Sequence, residues 1–195
     1  MDDVVRPASL SEVDIVTRVL AEAFQDDPVS KWVFPGDERR IEAQPLFFKA
    51  FTEAAFADGE VYLAHDHSAA SLWFRTDGGE SPEEFMARFS ALDEDDMRRF
   101  AVLSELMAAH SNHDEPHLHW QFCGLLPSAQ RKGLGSAIAR QHFRRLDADG
   151  VACAGEASSA DSARLWRRHG FVDAGKPFAL PGGPLMYPIW REPQG

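Results

Sequence analysis

The stretch "QRKGLGSAI", Gln130 to Ile138, constrains this chain more than any other. Upstream, "HLHWQFCGLL" is rich in aromatic and branched residues and reads as a strand. Downstream, an apolar-periodic run over about Ser136 to Asp149 reads as a helix that Gly150 stops. A strand feeding a helix through two nearby glycines turns several backbone N–H groups one way. They sit at the positive end of the helix dipole, where a phosphate or pyrophosphate is favoured. A side chain at Gly133 or Gly135 would hold such an anion off the backbone, and Arg131 and Lys132 add charge at the rim. An ordinary strand-to-helix turn is the alternative. Two phosphate motifs are excluded: GxxxxGK[ST] occurs nowhere, and "GLGSAI" puts Ile138 where a dinucleotide fingerprint needs its third glycine.

The other segments alternate between strand and helix. "VVRPAS" is a short strand, and "SLSEVDIVTRVLAEAF" a helix with Ser9 and Glu12 at capping-box spacing. "QDDPVSKWVFPGDE" breaks that helix, and "RRIEAQPLFFKAFTEAAF" is a second one, bent at Pro45. "EVYLAHD" and "ASLWFRT" are strands about a tight turn; the loop "DGGESPEE" opens two acidic helices over about Pro82 to His110, which "SNHDEP" closes. Past the glycine loop come a buried strand "VACAGEA" and a helix "SADSARLWRRH" stopped by Gly170. The strands "FVDAGKPFAL" and "PLMYPIW" follow, around the turn "PGGP". That order predicts an α/β fold with helices packed on a mixed sheet, and 195 residues at 44% hydrophobic content suffice for one core.

Charge narrows the function classes. A net charge of −11 argues against nucleic acid, and it is unevenly spread: residues 1–111 carry −13 and residues 112–195 carry +2. The first part suits a cation, the second tolerates an anion. No apolar run is long enough to cross a membrane, and the acidic "MDDVVRP" start is unlike an export signal, so a cytoplasmic protein without a membrane partner is expected. Cys123 and Cys153 sit in apolar strand-like segments and read as buried reduced thiols.

Gln130, Arg131, Lys132, Gly133, Leu134 and Gly135 spell [Q/R]-x-x-G-x-[G/A]. This resembles the acetyl-CoA loop of the GNAT superfamily of N-acetyltransferases. "WQFCGLLPSAQRKGLGSAIARQHF" resembles that family's fourth strand, pyrophosphate loop and following helix, and "ARLWRRHGF" its closing helix. With "VRPAS", "DDPVSKWVFP" and "GGPLMYPIWREP", the likeness extends over nearly the whole chain, in a layout similar to puromycin N-acetyltransferase-like actinobacterial proteins. It implies a mostly antiparallel sheet splayed between strands 4 and 5 and flanked by helices. It also implies a single N-acetyltransferase domain over 1–195, with 1–111 mainly on the acceptor side and 112–195 mainly on the acetyl-CoA side. As cosubstrate, acetyl-CoA would lay its pyrophosphate on Arg131, Lys132, Gly133, Leu134, Gly135 and Ser136, beside Gln130. Its pantetheine arm would pair with the backbone at Cys123 and Leu125, and Ser159, Ser162 and Trp166 match positions near the cofactor.

For the catalytic base, alternation in "HLHWQF" puts His117, His119 and Gln121 on one face and Leu118, Trp120 and Phe122 on the other. His119 matches a position that helps take the proton in several family members, and imidazole can accept one near neutral pH. A histidine merely paired at a strand end is the alternative. Glu156 and Glu115 are backups. His110, His113, His117 and His119 lack a fixed ligand spacing across a helix, loop and strand, and no metal is expected. The family often has Tyr where this chain has Trp166, whose indole N–H is a donor without a transferable proton; Tyr187 is a remote substitute. Trp32, Phe34, Phe47, Phe48, Phe51, Trp73 and Phe74 supply aromatic surface to the acceptor side, mostly as core. "DEDD", Asp93 to Asp96, is an amine anchor or a solvated face.

The expected function is acetyl transfer to a primary amine of a small molecule by direct attack on the thioester. A non-catalytic acyl-CoA-binding or sensor protein and a protein N-acetyltransferase are the alternatives, and a homodimer stays open.

Overall fold

The computed structural model describes residues 3–76, 81–110 and 115–195. Parts of "DGGESPEE" and "SNHDEP", and His113, lie outside the described residues.

The chain opens with β1 (Val5–Pro7) and α1 (Val13–Ala23). Glu12 ties the two: its carboxylate accepts from the Ser9 N–H at 2.8 Å and pairs with Arg6 at 2.6 Å, which holds its pKa far below the usual carboxylate range. The segment expected to be only a break contains a short helix, α2 (Pro28–Val33). Proline suits a first helical position, and the Asp27 carboxylate accepts from the Val29 and Ser30 N–H groups at 2.9 and 3.1 Å. Next, α3 (Asp37–Asp58) runs on through Pro45, which faces outward, so the carbonyl it leaves free can reach water.

β2 (Gly59–Ala64) and β3 (Ala69–Arg75) form the expected hairpin, and α4 (Pro82–Ala87) and α5 (Glu94–His110) the two acidic helices. Then come β4 (His117–Leu125), α6 (Leu134–Asp149), β5 (Ala152–Ala157) and α7 (Ala160–Arg167). The segment expected to be one strand before the last turn is two short ones, β6 (Val172–Asp173) and β7 (Phe178–Ala179), both paired to β8 (Leu185–Arg191). Ala174, Gly175, Lys176 and Pro177 separate them, and proline has no N–H for a ladder.

The sheet order is β1-β2-β3-β4-β5-β8-β6, antiparallel throughout except for the parallel pair β4 and β5. Helices cover both faces. On one, α1, α3 and α5 bury Leu20, Phe47, Phe48, Phe51 and Phe100 against Leu63 and Leu72. On the other, Ile138, Phe143 and Leu146 of α6 pack with Trp73, Trp120 and Cys153. There the Trp73 and Trp120 rings stack at 4.5 Å, and His142 is buried beside Ser71 at 3.2 Å, its pKa pushed down to about 3 by burial and by Arg145. None of the described helices is long and apolar enough to cross a membrane.

Candidate active site

β4 and β5 pair only from His117 opposite Ala152 to His119 opposite Ala154. Beyond that point β4 keeps β3 and β5 keeps β8, while their facing edges diverge. A slip in register marks the place: Trp73 lies opposite Trp120 but Leu72 opposite Phe122, which makes Gln121 the extra residue of a β-bulge. A bulge bends its strand and reverses the side-chain phase after it. Leu118 and Trp120 therefore face α6, whereas Phe122 turns to the opposite face among Phe24, Phe47, Phe48 and Phe51. The expected alternation in "HLHWQF" holds only as far as Trp120.

The splay opens a cavity of about 820 Å³ that runs from the glycine loop to the aromatic face under α3 and α5. Leu126 donates its N–H to the Ser68 carbonyl on the β3 side at 2.9 Å. Alternation along the strand then turns the Leu125 N–H and C=O toward the splay, where Gln130 Nε2 donates to that carbonyl at 3.0 Å. The Leu125 N–H is left facing the cavity.

At the loop, Gly133 caps α6 with φ of 82° and Arg131 is also left-handed at 59°. The Ala137 N–H donates to the Gly133 carbonyl, so the amides of Leu134, Gly135 and Ser136 precede the first intrahelical donor. A Cβ on Gly133 would meet nothing within 4 Å, and one on Gly135 only Leu125 Cδ2 at 3.8 Å. These glycines therefore keep the outer surface of the loop clear; protein packing does not demand them there. The loop fits a diphosphate bound on its backbone.

Cys123, Leu125, Gln130, Arg131, Gly133, Gly135, Ser136, Ser162 and Trp166 all line the cavity; Lys132 and Leu134 do not. Lys132 is exposed, and Leu134 packs against the α6-side core. Ser159 also lines it and caps α7, accepting from the Ser162 N–H at 3.1 Å. Burial pushes the Cys123 thiol up to about 12, so it is an inert wall group. Trp166 packs on Trp120 at 4.7 Å, whereas Tyr187 lies off the cavity in the α6-side core.

The two catalytic candidates meet. His119 Nε2 lies 3.1 Å from Glu156 Oε2, and Glu156 lines the cavity whereas His119 does not. Burial opposes charge on the imidazole, but the adjacent Glu156, by its charge and its hydrogen bond, outweighs that and raises the His119 pKa above its ordinary value. Such a dyad can take a proton at Glu156 and pass it to the ring. Glu115 is exposed and off the cavity. His110 stacks on Phe178 at 4.4 Å, and His117 Nδ1 is 2.7 Å from the Glu115 carbonyl, so each of these rings is engaged elsewhere.

Sequence reasoning missed Asp27 and Gln121. Asp27 lines the cavity wall and accepts from the Ser158 hydroxyl at 2.5 Å, which joins the α1–α2 loop to the turn after β5. Only "DDP" hinted at the cap, and nothing in the sequence marked the bulge. The "DEDD" run is not at the cavity: Asp93 and Asp96 pair with Arg39, and Asp95 with Arg98. Of the aromatic candidates, Phe34, Phe47, Phe48 and Phe51 line the cavity; Trp73 is on the opposite face, and Trp32 lies under Arg99 beside a separate hollow.

The model of the acetyltransferase (GNAT) family matches residues 42–171. Similar solved structures include a histone acetyltransferase HPA2 and related acetyltransferase from Corynebacterium glutamicum, 23% identical over 100% of this chain and 98% of that one, with a TM-score of 0.73. Arylalkylamine N-acetyltransferase 2 from Aedes aegypti is 16% identical over 97% and 98%, with a TM-score of 0.69. A polyamine N-acetyltransferase from Drosophila melanogaster is 17% identical over 96% and 98%, with a TM-score of 0.58. Together with the family match, the splayed strands and the glycine loop make this chain a member of the GNAT family of acetyltransferases, which use acetyl-CoA as the acetyl donor.

Proposed function

We propose that the protein transfers an acetyl group from acetyl-CoA to the primary amine of a small molecule. The observation that carries this reading is the Glu156–His119 dyad, set where the donor half and the acceptor half of one cavity meet. The amides of Leu134, Gly135 and Ser136, with Arg131, hold the diphosphate. When bound, acetyl-CoA supplies an acetyl group already activated as a thioester. The Leu125 N–H donates to the carbonyl oxygen on which negative charge gathers. Glu156 takes the proton from the acceptor ammonium and shares it with His119 Nε2; the freed amine forms the new C–N bond as the C–S bond breaks. The nitrogen, cationic once the C–N bond has formed, gives up its second proton to water, and because Trp166 has no proton to give, water in turn protonates the departing sulfur. The acidic balance of residues 1–111 agrees with a cationic acceptor on that side and with the anionic donor on the other. Amine acetyltransferases among the similar structures, acting on arylalkylamines and polyamines, support a small-molecule acceptor.

A second reading, an acyl-CoA-binding protein without turnover, is favoured by Trp166 at the usual Tyr position. Calorimetric titration of acetyl-CoA, with Gly135→Trp as the blocked form, followed by amine-dependent thiol release, separates the two. Micromolar binding, on the order of −8 kcal/mol, that disappears in the blocked form is expected, together with thiol release. Binding without release for any amine would leave only the second reading, and no binding would sink both.

A further inference from the structure

The closing segment of the chain touches the glycine loop through one side chain that the proposed reaction does not use. His169 lies in the turn just past α7, and its Nε2 is 3.0 Å from the Oγ of Ser136. Ser136 is the third residue of α6; it lines the cavity and carries one of the three amides left open at the helix start. The turn is fixed independently of this contact. Arg191 of β8 donates from Nε to the His169 carbonyl at 3.0 Å, and its two terminal nitrogens donate to Asp147 of α6 at 2.7 and 2.8 Å. Among the described residues, Nδ1 of His169 has no hydrogen-bond partner, so Ser136 is the one group there that bonds the ring.

Positive charge converges on that ring from three elements: Arg140 of α6, Arg168 at the end of α7 and Arg191 of β8. Asp147, the carboxylate tied into this network, is shared between Arg191 and the Gln194 N–H. Burial first, and then the three guanidinium groups, hold the His169 pKa below the ordinary imidazole value, so at pH 7 the free protein carries the ring mostly uncharged. A neutral ring can use Nε2 as an acceptor and consume the Ser136 hydroxyl hydrogen. A protonated ring has an N–H at both nitrogens and can only donate, which frees that hydrogen for an anion on the loop. A bound diphosphate would also offset the three arginines.

From this contact we propose that His169 is a positioning residue of the donor site: it takes up a proton as the CoA diphosphate arrives and turns the Ser136 hydroxyl onto a phosphate oxygen. The proposal rests on acetyl-CoA lying on the loop. The proton comes from solvent and returns to it when the ligand leaves. Linkage fixes the sign: the anion favours the charged ring, so the charged ring favours the anion. Affinity therefore falls as pH rises between the free-state pKa and the higher bound-state one, and is level on either side.

The test is calorimetric titration of CoA, which has no acetyl group to transfer, into the full chain across the neutral pH range. Buffers of different ionisation heat count the protons taken up. The 3′-phosphate of CoA itself titrates at about 6 in every such experiment, so the reading is the difference between the parent and His169→Gln, which keeps a donor for Ser136 but cannot be charged. The parent should take up more protons, and its affinity should fall more steeply with pH, by up to about tenfold per unit for one coupled proton. Ser136→Ala cuts the link without touching the ring, and it should lose most of the extra slope; it decides alone should His169→Gln fail to fold. Equal proton uptake in the parent and His169→Gln would overturn the proposal, as would a Ser136→Ala protein that keeps the parent's full slope. Failure of CoA to bind the parent at any pH would sink the donor-site reading together with this proposal, whereas binding without the pH difference sinks this proposal alone.

Discussion

In the proposed reaction Glu156 and His119 divide one task between them. The carboxylate meets the cavity, and in the proposed reaction the imidazole beside it would store the proton, so the dyad would be ready to accept only when His119 is neutral. Because Glu156 raises the His119 pKa, activity should rise with pH through a limb above the ordinary imidazole value of about 6.5 and be lost below it. Glu156→Gln removes both acceptor and neighbour. It should cut kcat by roughly 10²–10⁴ and move the limb downward, while acetyl-CoA affinity stays put; pH–rate profiles beside calorimetry measure all three. An unchanged kcat would return Glu156 to a structural role. His119 and Glu156 were each legible from their strand positions, but their 3.1 Å contact was not, because it depends on which residues of a parallel pair come level.

At the scale of elements, the site exists because β4 and β5 separate, and several close approaches hold them in place. Gly124 lets α1 lie on β4: a Cβ there would come within 2.9 Å of Ala23 Cβ, 3.0 Å of Leu20 Cδ2 and 3.2 Å of Phe24 Cε2. Gly124→Val should destabilise the fold by about 1–3 kcal/mol, read as a lower midpoint in denaturant, since the helix must shift off the strand. A midpoint equal to the parent's would mean that α1 moves without cost. The strand, loop and helix around "QRKGLGSAI" were legible from local pattern and glycine placement. The bulge at Gln121 was not: it reflects what β3 offers opposite β4, which lies some fifty residues away in sequence. The α2 helix was hidden for another reason. Its six residues are too few to show periodicity, and it is stabilised chiefly by one side chain, Asp27.

For the whole molecule, the uneven charge makes a kinetic prediction. With −13 on residues 1–111, the cationic acceptor proposed above would be drawn in over long range, and salt would screen that attraction. The KM for the amine should rise several-fold between about 20 mM and 300 mM salt with kcat little changed, and steady-state kinetics across that range check it. A KM indifferent to salt would mean that the acidic groups serve each other, as Asp93 and Asp96 do with Arg39. The sequence by itself determined the α/β order, the glycine loop and its ligand class, because these follow from local periodicity, backbone freedom and the helix dipole. Only the tertiary structure decided which charges are spent on one another and which face the cavity. It made "DEDD" a partner for Arg39, paired His119 with Glu156, and gathered phenylalanines from three helices into an uncharged wall. Those outcomes depend on long-range packing and desolvation, which act between residues far apart in the chain and leave no local signature.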